Sequence, residues 1–190
     1  MNLENIEEIT DINKLKRLFK IEYIQFETLC EDLLFQGIPI PNEDTKELEE
    51  YLEKIRIRIN ELSFPEYTDG VVDLYRDYGT KFTITESNKK IPIGVISYND
   101  TTRPIPGNIS YKIYKKYRGH HYALRALRIL GEVLLEKGIK SITVTASDKS
   151  NIPSIKTIEE FGGILRNERD RITQGPVPYI CDLPSIYSKK

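Results

Sequence analysis

The chain has 190 residues, enough for one domain with a substantial core, and its 28 basic and 29 acidic side chains nearly cancel. That balance argues against bulk-charge attraction to nucleic acid or to a membrane surface, and no aromatic-and-basic stripe of the kind that stacks bases is present. The two cysteines, Cys30 and Cys181, match no metal spacing; with no signal peptide and no apolar run of bilayer length, the expectation is a soluble, cytoplasmic chain with free thiols and no metal.

Residues 1–66 read as helical and charged. Thr10 or Asp11 is placed to cap a helix whose apolar positions Leu15, Leu18, Phe19, Ile24, Leu29 and Leu33 follow helical spacing. Gly37–Asn42, with two prolines, interrupts it. A second helix is expected from Asp44 to Leu62, with Leu48, Tyr51, Leu52, Ile55, Ile59 and Leu62 inward and a solvated Glu/Lys face, and Phe64-Pro65-Glu66 ends it. Tyr67–Tyr78 lacks a clear period and is expected to be loop with a short helix.

Lys81–Glu86 and Ile91–Asn99 alternate like strands, joined by a turn at Ser87–Lys90. Asp100–Gly107 connects them to a third strand, Asn108–Tyr114, completing an antiparallel meander. A basic segment, Lys115–Ala123, runs into a helix from Tyr122 to Lys137, with Ala123, Leu127, Leu130 and Leu134 on one stripe flanked by Leu124 and Val133; Gly138 stops it with a left-handed cap. Ser141–Ala146 is a further strand, Asn151 opens a short helix, and Gly162-Gly163 end it. Ile164–Glu168 and Pro178–Leu183 read as a closing hairpin, with Gly175-Pro176 in the connection. No repeat, low-complexity run or second domain boundary is found. The fold class is α/β (α+β): one domain, with 1–66 a helical region, 81–163 the core and 164–190 the closing hairpin.

The segment from Lys115 carries the chemistry. A strand feeding a helix through a tight turn leaves the first helical N–H groups unpaired and aimed at one spot, where the helix dipole favours an anion. Lys115, Lys116 and Arg118 add charge at the same end. Many strand–helix turns with a glycine and basic residues bind nothing, so the loop alone leaves both readings open.

The wider segment resembles the GNAT superfamily of N-acetyltransferases. Arg118 and Ala123 fall on the ends of its Arg/Gln-x-x-Gly-x-Gly/Ala loop, and Tyr117-Arg118-Gly119 is similar to the usual lead-in. Asn151-Ile152-Pro153-Ser154 matches the second motif and Glu159-Glu160-Phe161-Gly162-Gly163 the usual helix ending. The match is good over the C-terminal half and holds only in outline before it. His121 replaces the loop's first motif glycine, either tolerated in the turn or touching phosphate. Ile158 stands where many members carry a tyrosine thought to protonate the departing thiolate.

The resemblance implies a central, mostly antiparallel mixed sheet with helices on both faces and a splayed strand pair that binds acetyl-CoA. It places the pyrophosphate on the backbone of Arg118, Gly119, His120, His121, Tyr122 and Ala123, and the pantetheine amides along the edge of Ile113 and Tyr114. A bulge in the first strand would open the pair and aim an amide at the thioester carbonyl. Asn151 and Ser154 would reach the cofactor from the next helix; on the residues alone they are equally a plain N-cap and a first-turn serine. The first two helices would wall the acceptor side. The implied partners are acetyl-CoA and an amine acceptor, with no metal, nucleic acid or membrane, and a homodimer is compatible with it.

The implied reaction is acetyl transfer to a primary amine by direct transfer in a ternary complex, since neither Cys30 nor Cys181 has a motif-level base. No catalytic group is assigned: Glu86, Tyr111 and Asp148 are candidates, with Asp100 a further carboxylate and Tyr98 and Tyr114 further strand tyrosines, each of which packing or solvation would equally explain. The alternative is a non-catalytic acyl-CoA-binding sensor or assembly module that keeps the fold, motivated by His121 and Ile158.

Overall fold

Asp11 starts the first helix: its Oδ1 accepts from the N–H groups of Asn13 at 2.8 Å and Lys14 at 3.3 Å, two of the donors a helix start leaves free. The computed structural model describes residues 5–35, 40, 43–87, 89–99, 108–167 and 175–188. Most of the Gly37–Asn42 break, Asn88, the Asp100–Gly107 connection with Asp100, and Glu168 lie outside them.

Helix α1 (Ile12–Phe35) buries Leu15, Phe19 and Leu33, with Tyr23 and Phe26 partly covered. Ile24 is a correction, being about half exposed, because 15, 19, 23 and 26 form the helical stripe and 24 lies off it. Helix α2 (Glu43–Leu62) buries Leu48, Tyr51, Leu52, Ile55 and Ile59 against α1.

The stretch expected to be loop and short helix is two strands, β1 (Tyr67–Thr68) and β2 (Val72–Tyr78). The alternation is hidden because β2 is covered on both faces. Val72 and Leu74 enter one core, while Asp73, Tyr75 and Asp77 face the other side. The buried carboxylates are hydrogen-bonded, Asp73 by Thr68 and Ser87, Asp77 by Thr83.

Strands β3 (Lys81–Glu86), β4 (Pro92–Tyr98) and β5 (Ile109–Ile113) form the expected antiparallel meander, extended by β2. Then follow α3 (Tyr122–Glu136), β6 (Ser141–Ala146), α4 (Ile152–Phe161), β7 (Ile164–Leu165), β8 (Val177–Asp182) and α5 (Leu183–Tyr187). Gly138 and Gly162 end α3 and α4 at φ +83° and +109°. Among the described residues the sheet has eight strands in the order β1-β2-β3-β4-β5-β6-β8-β7. Neighbours are antiparallel throughout except β5 and β6.

Two cores cover the two faces. Leu124, Leu127 and Leu130 of α3 and Ile158 and Phe161 of α4 pack on Val72, Leu74, Phe82 and Ile84. Across the sheet, Arg56 of α2 reaches Asp77 of β2. The result is a single mixed α/β domain.

The parallel pair β5–β6 positions the site. It is held at its start, where Asn108 N–H donates to the Thr143 carbonyl and its Oδ1 accepts from Thr143 N–H, both at 2.8 Å. Pairing then stops after Ile109 opposite Val144. No bulge in β5 opens the pair, contrary to expectation: its register against β4 runs unbroken from Gly94–Ile113 to Tyr98–Ile109. A Cβ on Gly94 would stand 2.4 Å from the Lys112 carbonyl oxygen, so glycine there lets β5 lie close on β4.

Candidate functional site

Beyond Ile109 the edge of β5 that is not paired with β4 faces a gap. Tyr114 N–H donates to the Ile93 carbonyl on β4 at 2.9 Å, and residues 110 and 112 share that parity in the ladder. The amides of Tyr111 and Ile113 therefore face the gap. The expected edge of Ile113 and Tyr114 is corrected by one residue at its end: Tyr114 gives its N–H to β4, and its hydroxyl donates to Glu53 on α2 at 3.1 Å. The Ile113 carbonyl is taken by Arg118 Nε at 3.1 Å, which anchors the loop to the strand end.

The loop turns through Lys115–Tyr117, a 3-10 turn, then through Gly119 at φ +88° and His121 at φ +57°, the N-cap of α3. Two left-handed residues so close together curl the chain back on itself. The N–H groups of Gly119 to Ala123 make no hydrogen bond among the described residues. The His121 side chain, 70 % exposed, stands at the wall of the space above them, with Nδ1 3.8 Å from Oε2 of Glu160 on α4, which lines the same space. Its positive φ is the backbone reason a glycine suits that place.

Across the gap, Asn151 caps α4, its Oδ1 accepting from Ser154 N–H at 3.3 Å while its Nδ2 donates to Ser147 Oγ at 3.1 Å. Ser154 Oγ lies 2.9 Å from the Tyr111 hydroxyl, bridging β5 to α4. Burial raises the Tyr111 pKa, and the bond to Ser154 partly offsets this. These elements wall a cavity of about 510 Å³, within the range of ligand sites, lined by Ile113, residues 117–123, Asn151 and Ser154.

A second cavity of about 500 Å³ lies on the α1/α2 side of β5. Tyr23, Glu27, Arg56, Asp77 and Lys81 line it, with Ser110 from β5. Tyr111 and Lys112 line both cavities. The carboxylate candidates lie elsewhere. Glu86 holds Lys89 and the Tyr122 hydroxyl, which lower its pKa, and Asp148 accepts from Ser150 in the turn before α4, which lowers its own. Neither lines the two cavities. Tyr98 is buried in the core, and so is Ile158, fully covered.

A family model described as an acetyltransferase (GNAT) domain matches residues 27–164, from the middle of α1 to β7. The chain belongs to the GNAT acetyltransferase family.

Solved structures similar to this GNAT chain include a GNAT-family acetyltransferase from Bacillus anthracis, at 19 % identity and TM-score 0.46 over 56 % of this chain and 68 % of that one. An acetyltransferase from Agrobacterium tumefaciens str. C58 has 18 % identity and TM-score 0.44 over 53 % and 59 %. A ribosomal-protein-S5-alanine acetyltransferase from Vibrio fischeri has 16 % identity and TM-score 0.49 over 76 % of each chain. This chain thus spans between 59 % and 76 % of the length of these structures. A search of curated proteins finds no match.

Sequence reasoning missed Arg56 and Asp77 of this GNAT chain. The available signal was the acidic pair Asp73 and Asp77 inside the VDLYRDY run, within the stretch expected to be loop with a short helix. Cys181 is fully buried, which pushes its thiol up to about 12, and Cys30 is half-buried on α1. Among the described residues, no cluster of three or more His, Cys, Asp or Glu could hold a metal, and no helix is long and apolar enough to cross a membrane.

Proposed function

We propose that this protein transfers an acetyl group from acetyl-CoA to a primary amine, directly, in a ternary complex. The observation that carries the reading is the pair of cavities on the two sides of the free edge of β5, meeting at Tyr111 and Lys112. One suits a donor and the other an acceptor.

Acetyl-CoA fits the residues present. Unpaired N–H groups from Gly119 to Ala123 would hold its pyrophosphate, with Lys115, Lys116 and Arg118 adding charge. The Tyr111 and Ile113 amides would pair with its pantetheine arm as an added strand, and Asn151 and Ser154 would close on it from α4. When bound, it supplies an activated acyl carbon. Juxtaposing the two substrates across β5 is worth several kcal/mol, on the order of 7 or more for well-aligned groups. The Tyr111 hydroxyl, on Ser154 Oγ beside the donor cavity, would give a proton to the departing thiolate. Direct transfer is supported by the thiols, Cys181 being sealed in the core and its proton tightly held.

Isothermal titration with acetyl-CoA followed by a thiol-release assay on pooled amines tests the proposal. Binding with amine-dependent release of free CoA is expected. Absence of binding overturns it; binding without release under any amine transfers the case to the sensor reading.

A further inference from the structure

The acceptor-side cavity contains a carboxylate that the donor slot does not use. Asp77 falls between Arg76–Phe82 and Tyr78–Lys81, where the β2–β3 register shifts. Such a bulge turns a side chain off its regular direction and recurs beside active sites. Here it sets a carboxylate in the wall of the cavity, with only 2 % of its side chain exposed.

Its hydrogen bonding is incomplete. Oδ1 accepts from Thr83 Oγ1 at 2.7 Å, while Oδ2 has only Arg56 Nε at 3.5 Å, a nitrogen with no hydrogen-bond partner among the described residues. The guanidinium is divided: its Nη1 donates to the Tyr114 hydroxyl at 3.3 Å and lies 3.6 Å from Glu53 Oε2. A carboxylate oxygen that a shared cation leaves loosely held can accept a further proton donor.

We propose that Asp77 is the proton acceptor for the amine substrate, reached through water in the cavity between α1, α2 and β5. The assignment rests on the acyl-transfer reading. The balance is complete: the ammonium gives one proton to the Asp77 carboxylate, and the neutral amine attacks the thioester carbonyl. The C–N bond forms as the C–S bond breaks; the Tyr111 hydroxyl gives its proton to the thiolate, releasing free CoA thiol, and the second amine proton restores the Tyr111 hydroxyl. Asp77 then returns its proton to solvent.

Burial pushes the Asp77 carboxyl up to about 6, with Arg56 and Thr83 holding it back. It is ionised at neutral pH yet more basic than an exposed carboxylate, as a general base requires. The charged and titratable groups around it are Arg56 and Glu53 from α2, Tyr23 and Glu27 from α1, Lys81 from β3, Lys112 from β5 and Tyr114 beyond it. Glu27 is held by Lys81 at 3.2 Å, and Glu53 lies outside the cavity lining.

The test measures kcat/KM against pH for the full chain, with acetyl-CoA and the amine that releases most thiol. The wild-type profile should rise through a limb near pH 6. Asp77→Asn should lose that limb and fall by about 100-fold or more, with acetyl-CoA affinity unchanged within about twofold. Thr83→Val removes a hydrogen bond to the ionised form and should move the limb to higher pH, with Thr83→Ser restoring it. The second pair decides the matter if Asp77→Asn does not fold. A limb unmoved in Thr83→Val, or full activity in folded Asp77→Asn, overturns the assignment while leaving acyl transfer intact. A wild-type chain that releases no thiol overturns the parent reading instead.

Discussion

Gly94 on β4 stands directly opposite Ile113 on β5, and a side chain there would collide with the β5 backbone at Lys112. β5 can lie this close to β4 because position 94 carries no side chain. Gly94→Ala should push β5 back towards β6. Overpacking of this kind costs about 1–3 kcal/mol, which lowers Tm by a few degrees in a chain of this size. Acetyl-CoA affinity should fall at least several-fold in the same variant. Calorimetry and titration check the two together; a stability loss with unchanged affinity would detach Gly94 from the slot.

His121 holds a left-handed backbone at the wall of the donor cavity, with its ring beside Glu160. A non-glycine residue at such a φ costs about 1–2 kcal/mol, and glycine's extra freedom when unfolded costs back roughly half of that. His121→Gly should thus leave Tm equal or slightly higher and keep or improve acetyl-CoA affinity. A marked loss of affinity would identify the imidazole as a ligand.

The Tyr111 hydroxyl lies on Ser154 Oγ in the wall of the donor cavity, so its removal separates packing from chemistry. Tyr111→Phe keeps the ring on β5. It should lower kcat by about 10-fold or more while leaving the acetyl-CoA Kd within about threefold. An unchanged kcat would reduce the hydroxyl to a bridge between β5 and α4.

Asp77 also makes stability depend on pH in a direction opposite to most carboxylates. Its proton is bound more tightly folded, near pH 6, than unfolded, near 3.8. Its contribution is fully present below about pH 3.8 and is lost as pH rises through 6, by something of the order of 3 kcal/mol. Urea melts of wild type and Asp77→Asn between pH 4 and 7 should differ in slope accordingly, the wild type losing relative stability as pH rises. Parallel slopes would show an ordinary carboxyl.

Elements with a visible period were legible in advance. α2, β3, β4, α3 and β6 carry one apolar stripe or clean alternation, and their bounds differ from expectation by a residue or two. The loop and the second Asn-led helix were legible through their resemblance to a family. β1 and β2 were not, because a strand covered on both faces places Asp73 and Asp77 where alternation calls for apolar residues, and the groups that satisfy them, Thr68, Thr83 and Ser87, come into reach only through strand pairing and turns.

The sequence by itself determined the order of the elements apart from β1, β2 and α5, the glycines at the chain reversals and the unpaired donors at the start of α3, all properties of neighbours along the chain. Only the tertiary structure decided which edge of β5 is open, that Tyr111 and Ile113 face it, and that Asp77 and Arg56 meet in a second cavity. Those depend on register and on strands brought together from far apart in the chain, where a missing Cβ at position 94 or a single shifted residue in β2 redirects side chains without leaving a local trace.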